Sequence, residues 1–405
     1  MPLITDLARL FVVSTLLLLS PISNCITSYA DENPNIQLRG QLVNSLSKIT
    51  NDKKAHVAFM GGSITQMEGY RPLVCQWLEK KFPQTQFTFT NAGISSTCST
   101  TGAFRLQNDV LAKGKVDLFF VEFAVNDDQD AQHKPRESVR GMEGIIHQMR
   151  KHSPKADIVM IHFVNPGMKD LLDNGKQPVS IAAHERVAAH YAIPSIHLAK
   201  QVSDDIKSGK ITWSRYGGTH PKLEGNQLCA RLVADLLNKA WSGDLPKPAP
   251  HSMPAKLLND GSYVRGRFLK VNTEGESVRL GTQWQYDEPK WKSIKGSFRG
   301  YFAGMKCVHS STPGHELSAR FTGGALGAYV LAGPDAGQLE VSIDGGEFKT
   351  VELFHRHSRG LHYPRTVMLA TDLKEKEHIV KVRLSATHHE NSKGTAARIL
   401  HFVAN

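Results

Sequence analysis

Through the first 243 residues, short apolar runs alternate with longer stretches of helical spacing, and polar positions gather where the runs end. Residues 57–60 form the first apolar run. Residues 70–82 follow with Leu73, Trp77 and Leu78 on one face and Pro83 as a stop. The alternation continues with strands at 87–90, 116–123 and 158–164 and a further element at 195–199. Helices fill the intervals at 99–111, 139–151 and 181–191, and a strong helix at 223–241 closes the series. Strands separated by helices of ten or more residues predict a parallel sheet covered on both faces, spanning residues 51–243. Residues 31–50 are polar with a weak Leu38, Leu42, Leu46 stripe, which suits an arm or helix lying across that layer.

The pattern then changes. Prolines at 246, 248, 250 and 254 mark residues 244–262 as a linker. From 263 to 405 the chain shows short alternating stretches at 276–280, 316–321, 328–331, 339–343, 367–369 and 379–384, separated by glycine-rich turns such as Asp344-Gly345-Gly346. This spacing predicts an antiparallel β-sandwich or jelly roll.

The N-terminus alters the picture of where the chain works. Arg9 precedes an apolar core at 10–19, and Ser28-Tyr29-Ala30 offers small residues at the positions a signal peptidase reads. Residues 1–30 therefore read as a signal peptide, with export to a periplasm or beyond. The core is too short to span a bilayer, so no stable membrane association is expected. Of five cysteines, Cys25 leaves with the signal. Cys75, Cys98, Cys229 and Cys307 show no metal-ligand spacing, and Cys75 and Cys229 fall in helical patterns as small buried hydrophobes. The net charge of +11 favours anionic partners. No nucleic-acid motif accompanies it, so an acidic or sulfated polysaccharide is the better match for an exported chain.

Four small polar blocks fall at the predicted strand ends. Gly61-Gly62-Ser63 closes the first strand, and its two glycines suit a tight turn. Asn91-Ala92-Gly93 closes the second, Val125-Asn126-Asp127 the third, and Gly218-Thr219-His220-Pro221 precedes the last helix. A serine becomes a useful nucleophile when a base takes its proton, and His220 can be that base. The backbone N–H groups of Ser63 and Gly93 and the Asn126 amide can face a developing oxyanion. Taken singly, each block also has a bland reading as a turn, a cap or a structural histidine.

Taken together and in order, the blocks resemble the SGNH hydrolase superfamily of GDSL-like esterases over residues 51–243. The resemblance implies a three-layer α/β/α domain with a parallel sheet, Ser63 as nucleophile, His220 as base, and Gly93 and Asn126 as oxyanion donors. The wider architecture is similar to secreted bacterial carbohydrate esterases with an extra β domain. It implies removal of an acyl group, most simply acetyl, from a carbohydrate, with no metal or organic cofactor required.

One position departs from that pattern. The family's aspartate three residues before the histidine is replaced by Gly217. Glu122, Asp127 or Asp128 could serve instead, or a backbone carbonyl could orient His220 in a Ser-His dyad. Glu68, Arg71 and Arg105 lie near the blocks and could contact substrate, since a guanidinium clamps a carboxylate or sulfate. The basic patch His355-Arg356-His357, Arg359 and His362 to Arg365 reads first as a solvated hairpin edge, and second as a wall of the substrate groove. Two other functions stay open. The carboxylates could run glycoside hydrolysis, or the chain could be an impaired glycan-binding protein.

Overall fold

The computed structural model describes residues 33–405; the signal-peptide reading lies outside the described residues. The first sheet has six strands: β1 (Ile36–Gln37), β2 (Lys54–Gly61), β3 (Gln86–Gly93), β4 (Leu118–Val121), β5 (Asp157–Ile161) and β6 (Ser195–Ile196). Their order is β1-β6-β5-β4-β2-β3. All neighbours are parallel except β1, which runs antiparallel along β6. The arm expected at 31–50 thus supplies an edge strand as well as a short helix, Val43–Ser47.

Alternate residues of the central strands enter different cores. Ala58, Met60, Phe119, Val121, Ile158 and Met160 face one cluster, with residues from helices Ser99–Asp109, Pro135–His152 and Val179–His190. Val57, Phe59, Leu118, Phe120, Val159 and Ile161 face the other, with helices Tyr70–Lys81, Leu198–Lys207 and Leu223–Ala240. This period of two explains why these strands are apolar throughout: both faces are covered. The strand ends gather at one sheet edge, where the polar blocks follow.

The C-terminal half is a sandwich of two sheets. One orders Gln285–Asp287, Cys307–Ser310, Ala397–Ala404, Leu326–Ala332 and Tyr363–Ala370, with Arg267–Phe268 beside Ala397–Ala404. The other orders Lys349–Glu352, Gln338–Ile343, Lys376–Leu384, Glu316–Gly323, Ser277–Arg279 and Lys270–Val271. Pairing is antiparallel apart from Lys270–Val271 with Ser277–Arg279. Ala397–Ala404 lies between two neighbours in its sheet and is buried at seven of its eight positions, so it lacks the polar alternation by which the other strands were read.

The two halves share a core. The cluster on the Ala58 face continues through Tyr263, Phe302, Tyr329, Leu331, Leu400 and Val403. Phe104 packs on Tyr263 with ring centroids 4.8 Å apart. The proline-rich segment is held along the first layer: His251 N–H donates to Pro154 O, and Glu143 accepts from Leu258 N–H and Ser262 Oγ. Among the described residues, no helix is long and apolar enough to cross a membrane.

Candidate active site

The turn after β2 is built by close approach. Gly62 has φ −88°, so positive φ is not what demands glycine there. A Cβ on Gly61 would lie 2.0 Å from Glu122 Oε1, and one on Gly62 would lie 2.1 Å from Asn126 Oδ1. The turn presses onto the end of β4, and only a hydrogen fits in the gap. Ser63 then opens a single helical turn, Ser63–Gln66. Its backbone N–H has no acceptor among the described residues.

Ser63 Oγ lies 2.8 Å from His220 Nε2. The exposed His220 stands on the loop between Trp213–Tyr216 and Leu223–Ala240. Gly217, where the family pattern has aspartate, is left-handed with φ 114°. A Cβ there would fall 2.2 Å from Lys222 N, which is already bonded to Tyr216 O. The loop has closed over that position, and no carboxylate-bearing side chain fits.

None of the suggested replacements reaches His220. Glu122 is buried under the nucleophile turn, where Oε1 accepts from Gly62 N–H at 2.9 Å and Thr65 Oγ1 at 2.7 Å. Burial outweighs these bonds and pushes its pKa up to about 7. Asp127 is buried and accepts from Ser99 N–H, Ser99 Oγ and His184 Nε2. Burial opposes its charge, but His133 and His184 hold it well below the usual carboxylate range. Asp128 accepts from Asn165 Nδ2 at 2.8 Å. Among the described residues, no carboxylate lies within 4 Å of His220, and Ser63 is its hydrogen-bond partner. The geometry is that of a Ser-His dyad. An exposed imidazole can give its Nδ1–H to water, which leaves Nε2 free to accept from Ser63.

The expected oxyanion donors are placed unequally. Asn126 is buried beside the turn, and its amide donates one N–H to Asp130 Oδ2 at 2.6 Å, leaving a second to give. Gly93 N–H is taken by Asn91 Oδ1 at 2.9 Å. Gly93 has a packing reason as well, because a Cβ there would meet Gln66 N at 2.3 Å.

Burial and pairing give the residues expected to contact substrate other partners. Arg105 is 1% exposed. It donates to Ala92 O and Asp109 through Nη1 and to Gly61 O through Nη2, tying together the ends of β2 and β3. Arg71 pairs with the exposed Glu68 and reaches Thr65 O. Glu122 and Asp127 are buried as supports of the turn and of the following helix. None of these, nor Asp128, lines the cavity at Ser63.

That cavity, about 630 Å³, is walled by both halves of the chain. The first layer contributes Ser63, His220, Gln66, Ser96 and Asp130, and the sandwich contributes Arg299, His357, Leu361 and Tyr363. Tyr363 stacks on His355 at 4.4 Å and donates to Ser96 O at 3.4 Å. Arg299 Nη2 donates to Ser96 Oγ at 2.6 Å, and His355 Nε2 meets Asp130 O at 3.0 Å. The basic patch is therefore divided: His355, His357 and Tyr363 meet the first layer or wall the cavity, while Arg356 and Arg359 stay exposed. Sequence reasoning missed Arg299, Ser96 and Gln66 altogether and gave Asp130 no role at the site. No local pattern marks them, because they meet only when the two halves pack.

Two clusters bring metal-ligating atoms together: Cys98, Asp127 and His133, and His162, Glu185 and His197. Asp127 already serves Ser99 and His184, and Glu185 is paired with Arg39 and His162. All four described cysteines are free and buried.

Residues 59–228 match the model of the GDSL-like lipase/acylhydrolase family. A two-domain esterase active on acetylated mannans has a similar structure, at 22% identity and a TM-score of 0.71, covering 91% of this chain and 98% of that one. Its form co-crystallised with mannopentaose gives a TM-score of 0.68 at the same identity and coverage. No curated protein sequence matches the chain. At that identity the likeness establishes the fold, and it extends through both halves.

Proposed function

Given that residues 59–228 form a domain of the GDSL-like lipase/acylhydrolase family, we propose that this chain is a carboxylic ester hydrolase that removes acyl groups, acetyl foremost, from a carbohydrate. The observation that carries the reading is Ser63 Oγ at 2.8 Å from His220 Nε2, in a cavity shared by both halves. His220 takes the Ser63 proton as Oγ attacks the acyl carbonyl. The Ser63 N–H and the free N–H of Asn126 receive the negative oxygen. The sugar leaves as its alcohol with the proton from His220, and water cleaves the acyl-enzyme by the same route.

A carbohydrate is supported by the two-domain esterase of like fold, which acts on acetylated mannans. The net charge of +11 favours an acidic or sulfated glycan over a neutral one. Residues 1–30 support work outside the cytoplasm, secreted or periplasmic. Glycoside hydrolysis is the weaker reading. It needs two carboxyl groups flanking the bond, and Asp130 is the one carboxylate lining the cavity among the described residues. Ser63→Ala should abolish hydrolysis of an aryl acetate and of acetylated oligosaccharides while leaving the circular dichroism spectrum intact. Retained turnover in that variant would refute the assignment.

A further inference from the structure

We propose that a second cavity between the two halves is an anion subsite, which holds a carboxylate or sulfate carried by the sugar whose ester is cleaved; this rests on reading the Ser63 site as a carbohydrate esterase. The cavity measures about 340 Å³ and shares Ser96, Asp130 and Tyr363 with the one at Ser63. A glycan in the first cavity therefore has neighbouring space with polar walls.

The charges of those walls are the argument. Arg365 lines the second cavity and makes one hydrogen bond, from Nη1 to Phe354 O at 3.3 Å. It has no carboxylate within 4 Å among the described residues. Burial lowers its pKa against the opposing pull of Cys98, Tyr363 and Glu352. His133 lines the same cavity. Burial opposes its protonation, but Asp127 and Cys98 beside it outweigh that and raise its pKa well above the ordinary value. In the adjoining cavity at Ser63, Arg299 donates to Ser96 Oγ and also lacks a carboxylate within 4 Å among the described residues; its Nε is buried with no partner.

Of the four fully buried guanidiniums among the described residues, three are matched: Arg105 meets Asp109, Arg140 meets Asp372, and Arg398 meets Asp335 through both nitrogens; Arg150, away from both cavities, has no carboxylate within 4 Å. A cation withdrawn from water without a counter-ion is costly, and an anionic substituent would supply the missing charge. Two acids share these walls, and burial raises the pKa of Asp130 toward its neutral form. Glu137 Oε1 accepts from Thr100 Oγ1 and Tyr263 OH, and Asp130 Oδ2 accepts from Asn126. A guanidinium offers a carboxylate or sulfate two parallel donors, a match that neutral hydroxyl groups do not make.

The test follows hydrolysis of a neutral aryl acetate in the full chain, with galacturonate, galactose or sulfate added at constant ionic strength. Loss of turnover in Ser63→Ala first establishes the esterase reading on its own. Galacturonate should then inhibit saturably, and galactose should be about tenfold weaker or worse. Sulfate inhibition would show that the anion alone suffices, whereas galacturonate inhibition without it would assign the subsite to sugar carboxylates. Arg365→Gln and Arg365→Lys should each raise the galacturonate inhibition constant by about tenfold, because both lose the paired donors. If Arg365→Gln does not fold by circular dichroism, Arg365→Lys, which keeps the charge, decides. Equal inhibition by galactose and galacturonate, or galacturonate inhibition unchanged in the folded variants, would overturn the subsite while leaving the esterase reading standing.

Discussion

Replacing Glu122 by glutamine should change how stability depends on pH, by an amount that the site itself fixes. Glu122 is 1% exposed, and burial raises its pKa from the ordinary 4.5 to about 7. Below pH 4.5 the carboxyl is protonated whether the chain is folded or not. Between 4.5 and about 7 the folded state keeps the proton and the unfolded state has released it, so stability falls as pH rises. Above about 7 both states are charged and the full cost is present. At about 1.4 kcal/mol per pH unit, the interval amounts to about 3 kcal/mol. Glutamine keeps the acceptor for Gly62 N–H and Thr65 Oγ1, and its amide nitrogen takes the place of Oε2, which has no partner. That unpaired donor costs about 1–3 kcal/mol at every pH. Urea unfolding of both proteins at pH 5 and pH 8 removes this constant offset. It also cancels Asp157, whose pKa burial likewise raises to about 7 in both chains. The stability of Glu122→Gln relative to wild type should rise by about 2–3 kcal/mol between the two pH values. A difference that stays flat would refute a buried, proton-holding Glu122.

Other substitutions test the parts of the site separately. Asn126→Ala should lower kcat on an aryl acetate by about 10²–10³ with KM little changed, as loss of one oxyanion donor does; an unchanged kcat would remove Asn126 from the reaction. Gly93→Ala drives a methyl group to 2.3 Å from Gln66 N. It should cost about 1–3 kcal/mol in thermal unfolding and slow turnover by shifting the Ser63 turn. Arg105→Met removes the guanidinium donor from Gly61 O and Ala92 O and leaves Asp109 unpaired. A loss of about 3 kcal/mol is expected by chemical unfolding, whereas a direct substrate contact would raise KM and leave stability alone.

The first layer was legible because its signals are local. Strands such as Leu118–Val121 and Asp157–Ile161 are buried on both faces, so an unbroken apolar run marks each one. Ser63 and His220 could be singled out because their blocks, one closing a strand and one preceding the last helix, stand in a recognisable order. Arg105 was misread for a physical reason: a guanidinium in the helix after a polar block looks the same in sequence whether it faces substrate or captures the carbonyls of two strand ends. Gly217 announced a missing carboxylate but not its consequence, since the collision with Lys222 N depends on how the loop closes. The walls contributed by Arg299 and Tyr363 were beyond local pattern, because the residues they meet lie some 200 to 270 positions away. Ala397–Ala404 shows the limit of the period-of-two signal, which disappears once a strand is covered on both sides.

The core that runs from Ala58 through Phe104 and Tyr263 to Val403 joins the nucleophile's layer to the sandwich. Gln148 reinforces that join by donating from one amide to both Ala103 O and Tyr263 O. Opening the cleft by swinging the sandwich aside would tear apolar surface out of that core, so the aperture above Ser63 is a fixed gauge. On the esterase reading, selection is by the outline of what arrives: an ester must already protrude from its parent molecule at a height and angle that clear Tyr363 and Arg299. Selection among several esters on one molecule would then be made at entry, by shape, before any bond is strained.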